Sequence, residues 1–145
     1  MRLLLVMLAS VVLLGGCTFP FLSIDLDSRQ MPGGWSLTCL ADRTGTRTCS
    51  AMKMAHGKPF TIYYRNGEGP LIAAGTNTHP GPSGRIRVDD RPSRSMMQVA
   101  EVINDLRTGN TAHVTYRLPD KKETVRLELD LTGFDDAFVV LRARL

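Results

Sequence analysis

The clearest pattern in the chain is alternation. Val125, Leu127, Leu129 and Leu131 are separated by Arg126, Glu128 and Asp130, which predicts a strand with one buried and one solvated face. Ala112, Val114, Tyr116 and Leu118 predict a second such strand, and Pro119-Asp120-Lys121-Lys122 turns between the two. Upstream, residues 59–65 (PFTIYYR) form a β-rich run. Asn66-Gly67-Glu68-Gly69 is a hairpin turn signal, and residues 70–75 return as the partner strand. Residues 84–89 alternate over a shorter stretch. Trp35, Leu37 and Cys39 share one face of a further strand, with Trp35 as a core anchor. A polar turn at 42–47 leads back through Cys49 into a strand that Met52 and Met54 continue as gap-filling side chains. Residues 23–27 alternate as an edge strand would, and Met31-Pro32-Gly33-Gly34 turns into the domain.

Elsewhere the period lengthens. Met96, Val99, Ile103 and Leu106 fall on one stripe, with Gln98, Glu101 and Asp105 on the other side, so a helix is predicted over about 93–108. Ser95 with Gln98 three residues on makes a capping box, and Gly109 stops the helix. Residues 133–141 read as a short C-terminal helix or turn followed by apolar packing, and residues 77–84 (NTHPGPSG) as a loop. The elements together predict a mainly β fold: a small β-sandwich-like domain with one amphipathic helix.

The first sixteen residues do not belong to that fold. Arg2 precedes an apolar run, Leu3 to Leu14, broken only by Ser10. A dozen residues fall short of the roughly 20 that a membrane-spanning helix needs, so the run reads as an export signal. It ends in Leu14-Gly15-Gly16-Cys17, which resembles the lipobox of bacterial lipoproteins. That resemblance implies cleavage before Cys17, acylation of Cys17, and a membrane anchor. One acyl chain holds only marginally and several hold stably, at about 0.8 kcal/mol per buried CH₂. Thr18, where inner-membrane retention has Asp, implies the periplasmic face of the outer membrane. The expected organisation is a signal over 1–16, a tether over 17–33 and a single domain over 34–145.

Composition changes this picture little. Removing 16 of 145 residues leaves 129, enough for a modest core. Removing Arg2 lowers the formal charge from +4 to +3, a mild excess that permits contact with anionic surfaces. Setting Cys17 aside leaves Cys39 and Cys49, and in an oxidising compartment the default is a disulfide. Nine residues lie between them, for a chain-entropy contribution of about 3 kcal/mol. A zinc site generally takes four ligands and a redox pair is more often Cys-x-x-Cys, so neither fits as well. His56, His79 and His113 share no ligand spacing, no nucleophile elbow is present, and no metal, cofactor or catalytic residue is expected. The candidate surface is the basic run Arg85, Arg87, Arg91 and Arg94, interrupted by Asp89 and Asp90, which are expected to pair with it locally.

Three segments carry a resemblance. They are Trp35-Ser36-Leu37-Thr38-Cys39 with its second Cys49, Leu106-Arg107-Thr108-Gly109, and Thr132-Gly133-Phe134-Asp135-Asp136-Ala137. With them the chain resembles the invasion-associated locus B family of exported bacterial proteins, over most of residues 34–142. The resemblance implies a compact β-sandwich-like domain at the cell envelope and brings no catalytic residues. It departs in one respect, since that family usually carries plain secretory signals. The expected function is a non-enzymatic, lipid-anchored envelope protein acting as a binding module. Its expected partners are the membrane, through the lipid, and an envelope or host-surface protein or anionic polymer; nucleic acid is not expected. The alternatives are an envelope enzyme or enzyme inhibitor acting through the 77–84 loop, and a purely structural envelope component.

Overall fold

A computed structural model describes residues 25–75, 84–118 and 123–145. The export segment, Cys17, the 77–84 loop except Gly84, and the turn at 119–122 lie outside the described residues.

Five strands follow one another as β1 (Asp25–Met31), β2 (Trp35–Ala41), β3 (Arg47–Ala55), β4 (Lys58–Arg65) and β5 (Leu71–Ala74). They pair as an antiparallel meander in that order. Next come β6 (Arg85–Val88), β7 (Arg94–Ser95), α1 (Val99–Thr108), β8 (Thr111–Arg117), β9 (Thr124–Asp130) and α2 (Phe134–Ala143). The second sheet runs β7-β6-β8-β9, so α1 and β7 are inserted between two strands that pair directly. The mainly β, sandwich-like architecture is as expected from alternation. Each sheet buries one face: Trp35, Leu37 and Cys39 on the first, Val114, Leu127 and Leu129 on the second.

A chain of rings ties the first sheet to α2. Trp35 meets Phe134 at 4.9 Å and Phe60 edge-on at 6.5 Å; Phe138 then meets Phe134 at 5.9 Å and Tyr64 at 6.0 Å. Lys53 crosses the Trp35 ring and donates to the backbone carbonyl of Asp130, joining the two sheets. Gly33 and Gly133 make the closest backbone approach. A Cβ on Gly33 would lie 1.8 Å from the Thr132 oxygen, and one on Gly133 would lie 2.3 Å from the Pro32 oxygen.

Four expectations are corrected. The tether over 17–33 gives its last part to the fold, because Asp25–Met31 pairs along its whole length with β2. The helix begins at Val99 rather than about 93, because Arg94 and Ser95 pair with Ile86 and Arg85 as β7. The capping-box contacts exist, Ser95 N–H to Gln98 Oε1 at 3.1 Å and Met97 N–H to Ser95 Oγ at 3.2 Å, but they close the turn before the helix. The short C-terminal helix is present as expected, over ten residues, with Phe134, Ala137, Phe138 and Leu141 buried along one stripe. Met52 and Met54 lie on the outer face of the first sheet, exposed, and fill no gap in the core.

Candidate functional site

Cys39 and Cys49 face each other across β2 and β3, with Cα atoms 4.0 Å apart, and form a buried disulfide. Cross-strand partners in an antiparallel pair lie within the reach of an S–S bridge, so the register itself supplies the geometry.

The four arginines do not form one patch. Period-2 alternation on β6 sends Arg85 and Arg87 outward while Ile86 and Val88 enter the core. Arg94 is paired with Ile86 and so turns to the inner side, where its Nε donates to Asp105 Oδ2 at 2.5 Å. Arg91 donates to Asp105 Oδ1 at 3.2 Å, to the Asp105 carbonyl at 3.1 Å and to Thr108 Oγ1 at 2.8 Å. Asp105 is 7% exposed, so the two guanidiniums neutralise a buried carboxylate and fix α1 against the second sheet. Arg91 and Arg94 are structural.

Tertiary pairing gives Arg85 and Arg87 other companions. One row across the second sheet reads Arg85–Thr115–Arg126, and the next Arg87–His113–Glu128; Arg117 stands two residues beyond Thr115 on the same face. Arg85, Arg87, Arg117 and Arg126 are exposed. Among the described residues none of the four has a carboxylate partner. Neighbouring arginines lie about 7 Å apart along β6, and Arg85 and Arg126 about 10 Å apart across two strand spacings.

Of the nearby acids, Asp89 and Asp130 are held by backbone and hydroxyl donors, while Glu128 lies on the face itself beside His113. Asp89 does not pair with the arginine run. It accepts from the backbone N–H of Thr111 at 2.9 Å and of Asn110 at 3.0 Å. These bonds, Thr111 foremost, hold its carboxyl below the ordinary carboxylate range. Asp130 accepts from the N–H and hydroxyl of Thr132, which lower its pKa likewise. Glu128 faces His113, with Oε2 3.7 Å from Nδ1. The face can therefore receive several anionic groups at once through charge-assisted hydrogen bonds. Arg126 and Arg117 were visible in sequence as polar positions of their strands. Their meeting with Arg85 depends on the non-local pairing of β6 with β8.

His56 lies in the β3–β4 turn and His79 falls outside the described residues. Among the described residues no three His, Cys, Asp or Glu side chains converge to hold a metal ion, and no helix is long and apolar enough to cross a membrane. Two adjoining concavities open between the β4–β5 turn, α1 and α2, of about 330 and 370 Å³, sharing Tyr64, Pro70 and Arg142. No family model, curated protein or solved structure matches this chain.

Proposed function

We propose that this chain is a non-enzymatic binding module of the bacterial cell envelope, similar to invasion-associated locus B proteins and anchored by acylated Cys17 on the periplasmic face of the outer membrane. Its ligand is a polyanionic envelope or host-surface partner, and it binds through the outer face of β6, β8 and β9. The observation that carries this reading is the set of four arginines on one sheet face with no carboxylate partner among the described residues. The anchor rests on Leu14-Gly15-Gly16-Cys17 after an apolar run, and the family resemblance on three short segments. A pinned module needs only a surface of complementary charge to capture a neighbouring polymer, because anchoring raises the effective concentration.

Two measurements test the reading together. Metabolic labelling with palmitate should mark the wild type and leave Cys17→Ser unmarked; an unlabelled wild type overturns the anchor. The triple variant Arg85→Glu, Arg87→Glu, Arg126→Glu should lose at least about tenfold in affinity for purified anionic envelope polymers, and wild-type binding should weaken steeply with added salt. Binding that survives the triple charge reversal sinks the proposed surface.

A further inference from the structure

A second site of different character shares no residue with the β6–β8–β9 face. The concavity of about 370 Å³ between α1 and α2 is at the small end of ligand pockets. Its apolar lining comes from Tyr64, Pro70, Ile103 and Phe138, of which Tyr64, Ile103 and Phe138 are buried core residues showing one edge to the cleft. Two guanidiniums stand over that lining. Arg107 lies 5.1 Å from the Phe138 ring centre, and Arg142 lies 5.5 Å from that of Tyr64. Stacking on a ring restricts a long side chain before any ligand arrives, so less ordering remains to be done on binding.

The charges around the cleft can be counted. Arg107 is neutralised by Asp135, Nε to Oδ1 at 2.6 Å, and Arg65 by Glu68 at 3.3 Å. Arg142 has no ion-pair partner among the described residues. One uncompensated guanidinium beside an apolar floor suits a ligand with one negative charge and a compact apolar body. A guanidinium binds a carboxylate through two parallel N–H···O bonds, which fixes the orientation of the acid over the apolar floor. We infer that the cleft between α1, α2 and the β4–β5 turn binds a small monocarboxylate whose aryl or short alkyl body rests on Ile103, Phe138 and Tyr64 and whose carboxylate is held by Arg142. The site is separate from the proposed polyanion surface, and its test does not depend on that reading.

The test is a titration of the isotope-labelled full chain with 3-phenylpropionate, followed by backbone NMR shifts. Saturable shifts are expected at Ala100, Ile103 and Phe138. The neutral 3-phenylpropanol should bind at least about tenfold more weakly. Arg142→Met keeps an apolar stem over Tyr64 and should also lose about tenfold for the carboxylate while binding the alcohol unchanged; Arg142→Lys should fall between. The inference is overturned if the carboxylate produces no saturable shift up to its solubility limit. Equal affinity for acid and alcohol, or carboxylate binding unaffected in Arg142→Met, overturns it as well.

Discussion

Asp89 shows how one residue can hold a junction without joining a charge cluster. It adopts a left-handed backbone, φ 48°, just after β6, and its carboxylate accepts from the backbone N–H groups of Asn110 and Thr111, where β8 begins. Asp is among the few residue types that tolerate that region. The Thr111 and Asn110 bonds favour the ionised form, with the positive field of Arg91 adding to them, so the folded pKa lies below the ordinary value of 3.8. A depressed folded pKa contributes stability that is present above the unfolded value and is lost as pH falls through the folded one. Asp89→Asn keeps the shape and the tolerance for positive φ but removes the charge. Its stability deficit relative to wild type should be largest above about pH 5 and should shrink as pH falls toward 2. Thermal unfolding by circular dichroism across pH 2–7 checks this; a deficit independent of pH would mean that charge is not what Asp89 supplies.

Between elements, the decisive contact is the backbone approach of the Pro32–Gly34 turn to the start of α2. Gly33 and Gly133 both have positive φ, at 72° and 76°, and each would drive a Cβ into the other segment's carbonyl. The Pro32–Gly34 turn and the Thr132–Phe134 segment therefore touch, and the approach lets Trp35 stack on Phe134. Gly109 plays a similar part in Leu106-Arg107-Thr108-Gly109, since a Cβ there would lie 2.0 Å from Val88 Cγ1. The three segments are joints of the fold. Gly133→Ala should cost about 2–4 kcal/mol, combining backbone strain with a clash that only backbone movement relieves. Gly34→Ala is the matched control, with φ 78° but open space around the new Cβ, and should cost only about 1–2 kcal/mol. Denaturant unfolding of the pair measures the difference; equal costs would show that the approach is not tight.

At the scale of the molecule, the disulfide staples β2 to β3 in a sheet whose core continues through α2 into the second sheet. Most of the buried side chains lie away from the bridge, so the fold should survive its loss while its stability falls. Cys39→Ala with Cys49→Ala, or reduction of the wild type, should lower unfolding stability by about 2–4 kcal/mol with native circular dichroism retained at 25 °C. A drop below about 0.5 kcal/mol would show that the bridge adds nothing beyond the sheet's own pairing. The sequence by itself determined what one segment can express alone: the period-2 strands, the helical stripe of Val99, Ile103 and Leu106, the 66–69 hairpin and the bridge between Cys39 and Cys49. The strands and the stripe follow from which face of a single element must be buried, the hairpin from its turn residues, and the bridge from the cysteine count. Tertiary structure alone decided which charges share a surface. Arg94 and Ser95 became a strand, rather than the first turn of α1, because β6 offered them a partner and Asp105 a counter-charge. Arg126 came to stand in line with Arg85, forty-one positions away, because β6 pairs with β8 and β8 with β9. Side-chain alternation says that a residue points outward. Only the register of non-local strands says what it points outward beside.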